Sequence, residues 1–287
     1  MFHFFAQFVS AHGFLRKKPQ NHHFYQAHDF IIPRFDTPRF DISLFEVYSH
    51  NQHFEIPRLE ICRSEIQAVD SIHTTCGKEH IMSTITIFGA GNIGSAVAGI
   101  AVKAGATVQV IDRNPDKASA AAEGVTGAKF GTAEIAGDIV VLALPFPAYD
   151  DVIAAYGDQL AGKTIVDPSN PIDFGTFDLA LPKGAQSAAE YLAGKLPQST
   201  IVKAFNTNFA ATLAAGVIDG APTVAQLASD DENAKKAVAA FIEGAGLKTV
   251  DAGPLKRAQY LEGYGALQII LGVTEQTPWT GGFKVVK

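Results

Sequence analysis

"MSTITIFGAGNIG", residues 82–94, joins a short β-rich run to three glycines spaced Gly-x-Gly-x-x-Gly. An apolar pattern of helical period follows, Ile93, Val97, Ile100, Ala101 and Ala104, and Gly105 stops it. Strand, glycine turn and helix in that order give each glycine a task. Gly89 permits the tight turn, Gly91 lets backbone approach a pyrophosphate, and Gly94 lets the helix pack closely on the strand. The helix N-terminus offers unpaired N–H groups and partial positive charge to phosphates. The turn Gly89, Ala90, Gly91, Asn92, Ile93, Gly94 therefore reads as a dinucleotide cradle.

The choice between NAD and NADP stays open on the residues alone. Asp112 ends the second strand, "TVQVID", where a carboxylate can bind the adenosine ribose 2′-OH and favour NAD. Arg113 follows directly and Lys117 stands four residues further on, and two such cations can clamp a 2′-phosphate and favour NADP. Lys117 also reads as an ordinary solvated helix residue.

Composition changes at Met82. All nine histidines, both cysteines and eleven of the twenty phenylalanines precede it, but only two of the twenty-six glycines do. Residues 1–81 show little periodicity and read as a poorly structured N-terminal extension, disordered or translated from an upstream start. The cluster Arg16-Lys17-Lys18, with no acid before Asp29, is loosely what an organelle-targeting peptide shows. His22, His23 and His28 lie together, but Cys62 and Cys76 are far apart and form no CxxC, so no recognisable zinc set is expected.

Residues 82–287 carry 15 basic and 20 acidic side chains, which argues against a nucleic-acid binder needing a cationic face. No apolar run reaches membrane-spanning length. The absence of cysteine here suits a reducing cytoplasm.

Further strands are expected in "DIVVLALP" (138–145), "KTIVDPSNP" (163–171), "STIVKAFNT" (199–207), "TVAQLAS" (223–229) and "LKTVDAG". Asn114-Pro115 caps a helix over 115–123. Ser229 and Glu232 have capping-box spacing for a helix to about Ala245, and "PLKRAQYLEGYGALQIILG" forms a last helix. Alternation of this kind means parallel pairing: a doubly wound Rossmann-type α/β domain over 82–287, with a small C-terminal α/β extension forming the acceptor-binding part.

Ligands of such sheets lie beyond the carboxyl ends of the strands. Leu144 and Pro145 are expected along the dinucleotide. Asn170, Asn206 and Thr207 are expected around the nicotinamide and its acceptor, as polar residues at strand ends that need partners. Phe146 and Phe205 read equally as core or as ring contacts. Lys256 and Arg257 are either solvated cations or contacts to an anionic tail. Trp279, the only tryptophan, is a pocket lid or a subunit contact, a homodimer being the assembly considered.

The segments "GAGNIG", "VKAFNTNFA" (202–210) and "ASDDENAKKAVAAFIEGAGLKTVDAGPLKRAQYLE" (228–262) carry a resemblance to the NADPH-dependent F420 reductase family. Residues 82–287 are also similar to the cytosolic reductase domain of the six-transmembrane metalloreductases. The resemblance implies hydride transfer between NADP(H) and coenzyme F420, a deazaflavin, with Arg113 and Lys117 holding the 2′-phosphate. The sequence departs from the family pattern at Asp112, where a small hydroxyl residue is usual, and near Asn206, where deazaflavin reductases carry a histidine. Hydride transfer between stacked rings needs no general base, so the lack of His and Cys after Met82 is compatible with it. The alternatives are a reductase of another flavin, quinone or metal complex, and a redox sensor that binds NADP(H) without turnover.

Overall fold

The computed structural model describes residues 40–42, 46–49, 52–55, 59–61 and 83–285. Its backbone contacts divide the chain into two units, Met1–Lys78 and Glu79–Lys287. In the first, β1 (Phe40–Ile42) pairs antiparallel with β4 (Leu59–Ile61), and β2 (Glu46–Ser49) with β3 (Gln52–Glu55). The rest of the expected N-terminal extension, with the Arg16-Lys17-Lys18 cluster, His22, His23, His28, Cys62 and Cys76, lies outside the described residues.

The second unit is built on an eight-stranded sheet: β5 (Thr84–Phe88), β6 (Thr107–Asp112), β7 (Thr126–Lys129), β8 (Ile139–Leu142), β9 (Thr164–Asp167), β10 (Thr200–Lys203), β13 (Val224–Ala228) and β14 (Lys248–Gly253). Its spatial order is β14-β13-β10-β9-β8-β5-β6-β7. The chain winds from β5 outward through β6 to β7, then returns to the other side of β5 with β8. That reversal opens a crevice at the carboxyl ends of β5 and β8, where ligands of open α/β sheets bind.

Strand residues face alternately to the two sides of the sheet. Ile85, Ile87, Val141, Val166 and Val202 join one core, against α1 (Asn92–Lys103) and α6 (Glu232–Gly244). Phe88, Val140, Leu142, Ile165 and Ile201 join the other, against α3 (Tyr149–Leu160) and α4 (Ala188–Lys195). Burial on both faces explains why these strands read as unbroken apolar runs.

The parallel rule fails at one place. β10 and β13 run antiparallel, while β13 and β14 are parallel. Only a six-residue helix, α5 (Ala210–Ala215), and the hairpin of β11 (Val217–Ile218) and β12 (Ala221–Pro222) separate β10 from β13. That connection is too slight to act as a full crossover helix, so the next strand enters reversed.

Local signals also need adjustment. The helix expected over 115–123 is a single turn, α2 (Pro115–Ser119), although Asn114 caps it as expected, accepting from the N–H groups of Asp116 and Lys117. For α6, Asp231 is the capping residue and Ser229 is not, because the Ser229 hydroxyl donates to Ile201 O across the sheet. The last helix, α7 (Ala258–Val273), follows a 3-10 turn at Leu255–Arg257. No helix among the described residues is long and apolar enough to cross a membrane.

Candidate functional site

The glycine turn sits at the crevice between β5 and β8. Gly89 has φ +96°, and a Cβ there would stand 2.4 Å from Ala143 O and 2.8 Å from Leu144 Cδ2. Only glycine fits both that conformation and that approach. A Cβ on Gly94 would fall 1.9 Å from Gly89 O, so α1 packs directly on the turn. Gly91 differs: a Cβ there meets nothing within 4 Å, and the residue faces open space. It also starts α1 without a side-chain cap, and the first turn holds no acid. The N–H groups of that turn at Asn92 and Ile93 have no acceptor among the described residues and suit an anionic diphosphate. The residues present fit an NADP-type ligand.

Asp112 does not present a free carboxylate. Its Oδ2 accepts from Ala90 N and its Oδ1 from Asn114 N, both at 2.9 Å. Burial alone would raise its pKa. The two backbone donors, with the charges of Lys117 and Arg113, outweigh it and hold the carboxyl below its ordinary value. Asp112 thus ties the end of β6 to the glycine turn. Arg113 and Lys117 are exposed beside it, and Arg113 Nη2 lies 3.1 Å from Asp151 Oδ2 on α3. Leu144 lies half-buried against Gly89, and Pro145 is exposed at the start of the 3-10 turn Phe146–Ala148.

The residues expected at the nicotinamide end turn inward. Asn170 Nδ2 donates to Asn206 O at 2.7 Å, and Asn206 Nδ2 donates to Asn170 Oδ1 at 2.9 Å and to Leu261 O at 2.8 Å. Thr207 is buried, and its hydroxyl donates to the Gln226 side-chain oxygen. Phe205, at φ +68°, packs in the core against Phe241. Phe146 packs edge-on against Tyr149 and Tyr191. Lys256 and Arg257 are exposed.

Beneath these loops lies a charged cluster that the sequence reading missed. Lys203, Asp167, Glu262 and Tyr149 have no exposed surface. Lys203 Nζ donates to Asp167 Oδ2 at 2.8 Å, to Ser169 O at 2.6 Å and to Glu262 Oε1 at 2.7 Å. Asp167 Oδ1 accepts from Ser169 N and lies 2.7 Å from the Tyr149 hydroxyl. The Glu262 carboxylate caps α4, accepting from Ala188 N at 3.0 Å. Both backbone polar groups of Ser169, next to Asn170, are fixed in this way. A lysine inside the apolar run "STIVKAF" was the signal available.

Trp279 packs against Phe209, with ring centroids 4.8 Å apart and the ring planes tilted by 56°. Together with Asn92 and Ser95 of α1, Ala121 and Ala210, they line an open cavity of about 580 Å³. One wall is aromatic, the other is the first turn of the glycine helix.

Residues 84–171, which hold the glycine turn, Asp112, Arg113, Lys117 and Asn170, match the profile of a family described as NADP oxidoreductase, coenzyme F420-dependent. The chain resembles the F420-dependent NADP reductases. It is 28% identical over 215 residues to the F420-dependent NADP reductase of Methanothermobacter thermautotrophicus, covering 68% of this chain and 91% of that protein. It is 32% identical over 178 residues to the metalloreductase STEAP3 of Rattus norvegicus, covering 62% of this chain but only 35% of the length of STEAP3. Among solved structures, a putative F420-dependent NADP reductase from Arthrobacter sp. FB24 superposes with a TM-score of 0.62 at 25% identity, covering 71% of this chain and 99% of that one. The family profile and the F420-dependent reductases are those of NADP oxidoreductases, STEAP3 is a metalloreductase, and this chain is similar to them.

Proposed function

We propose that the chain transfers hydride between NADPH and a flavin-like acceptor, with coenzyme F420 the leading candidate. The carrying observation is the cavity that Asn92 of the glycine turn shares with Phe209 and Trp279. A planar ring stacked on that aromatic wall would lie beside the dinucleotide cradle. The similarity to F420-dependent NADP reductases supports the choice of a deazaflavin. Arg113 and Lys117 are the residues assigned to the 2′-phosphate.

Hydride is the chemistry that a bound NADPH supplies. The chain contributes binding and orientation: the α1 N-terminus for the diphosphate, Asp112 to hold the turn, and Leu144 against it. The Lys203 cluster keeps the Ser169–Asn170 backbone rigid, so that two rings meet in a fixed geometry. No proton donor is required of the protein. The acidic balance of residues 82–287 favours a small-molecule acceptor over nucleic acid, and the reading includes a cytoplasmic location.

A second reading, favoured by the similarity to STEAP3, has another flavin or a metal complex as the acceptor. An acceptor screen separates the two. Full-length protein with NADPH is mixed in turn with F420, FMN, a quinone and a ferric chelate, and the nicotinamide absorbance is followed. Bleaching with F420 alone supports the leading reading, and bleaching with FMN or the chelate alone supports the second. NADPH binding with no turnover on any of them replaces both with a sensor.

A further inference from the structure

The Arg113 guanidinium is joined to the acidic start of α3 through Asp151 Oδ2, at 3.1 Å. Both side chains are mostly exposed, at 78% and 64%, so each is within reach of a ligand. The carboxylate nearest in sequence, Asp112, is already committed to Ala90 N and Asn114 N. Lys117 makes no ion pair among the described residues. Of the two cations at the end of β6, one is therefore held by a carboxylate of a different element and the other is not.

We infer that Asp151 sets the degree of preference for NADP(H) over NAD(H) by competing with the ribose 2′-phosphate for Arg113, an inference that rests on the dinucleotide reading above. A 2′-phosphate needs guanidinium N–H donors, and Asp151 occupies part of that fork. Its charge also repels an arriving dianion. NAD(H) carries a hydroxyl in place of the phosphate and takes nothing from the Arg113–Asp151 pair. The pair thus acts only against the phosphorylated cofactor. Because it is exposed and screened, its effect is modest, about two- to fivefold in affinity.

The test is calorimetric titration of full-length protein with NADPH and with NADH, for wild type, Asp151→Asn, Arg113→Ala and the double variant. Asp151→Asn is expected to bind NADPH about two- to fivefold more tightly with NADH unchanged, and to have no effect once Arg113 is alanine. Unchanged or weaker NADPH binding by Asp151→Asn, with Arg113→Ala still selectively impairing NADPH, overturns the role of Asp151 and leaves the phosphate clamp standing. Equal loss of NADPH and NADH in Arg113→Ala overturns the clamp and this inference together.

Discussion

Lys203 Nζ lies 2.7 Å from Glu262 Oε1, and neither side chain has any exposed surface. The contact joins β10 to α7 across 59 residues of sequence. Leu261, the neighbour of Glu262, accepts from Asn206. Asn206 in turn pairs with Asn170, and the backbone of Ser169 returns to Lys203. The last helix is thus tied twice to the loops at the carboxyl ends of β9 and β10.

Removing the lysine leaves two buried carboxylates without their cation. Lys203→Met is expected to lower unfolding free energy by about 3–5 kcal/mol. Urea denaturation measures it, and a loss under about 1 kcal/mol would mean that the cluster is not buried as described.

Burial raises the Glu262 pKa above its ordinary value near 4.5, and Asp167 adds to the effect, while Lys203 and Ala188 N–H oppose it without cancelling it. A carboxyl whose folded pKa is raised favours folding in its protonated form. Its contribution is fully present below the unfolded value and is lost as pH rises through the folded one. Glu262→Gln cannot ionise. The melting temperature of wild type relative to this variant should therefore fall as pH rises from about 4.5 through that window. A difference that stays flat with pH would contradict the raised value. Taking the difference also cancels carboxylates of opposite sign, such as Asp112.

Gly265 marks where α7 meets the asparagine pair. A Cβ there would stand 2.6 Å from Asn170 Nδ2, Asn170 Oδ1 and Asn206 O. Backbone oxygen cannot step aside cheaply, so Gly265→Ala should cost about 1–3 kcal/mol. It should also lower the hydride-transfer rate through displacement of the β9 and β10 loops. Stability and single-turnover rate both at wild-type level would rule out that close packing.

Asp112→Ala removes the acceptor of Ala90 N and Asn114 N. Because the carboxylate holds the turn, both nucleotides should weaken by about 1–2 kcal/mol. Loss for NADH alone would show instead a direct bond to the ribose hydroxyl.

The glycine turn and the alternating sheet were legible because they depend on local pattern: φ > 0 at Gly89, apolar runs buried on both faces, and Asn114 before Pro115. What depended on distant partners was not. Asp112 occupies the ribose-binding position of a sequence motif, yet its oxygens go to Ala90 and Asn114. Asn206 and Thr207 looked like pocket residues because polar groups at strand ends need partners, but α7 and Gln226 supply them. The reversal of β13 followed from the slight connection through α5, whose length no periodicity announced. Ser229 gave up its capping role to a carbonyl on another strand.

The cradle at Gly89–Gly94 and the cations beside it, Arg113 and Lys117, are where the dinucleotide is expected to bind. Calorimetric titration of the full-length protein with NADP+ and with NAD+ tests both at once. Saturable binding of one NADP+ per chain, with weaker NAD+ binding, is the predicted result. No heat of binding from either nucleotide would contradict the account.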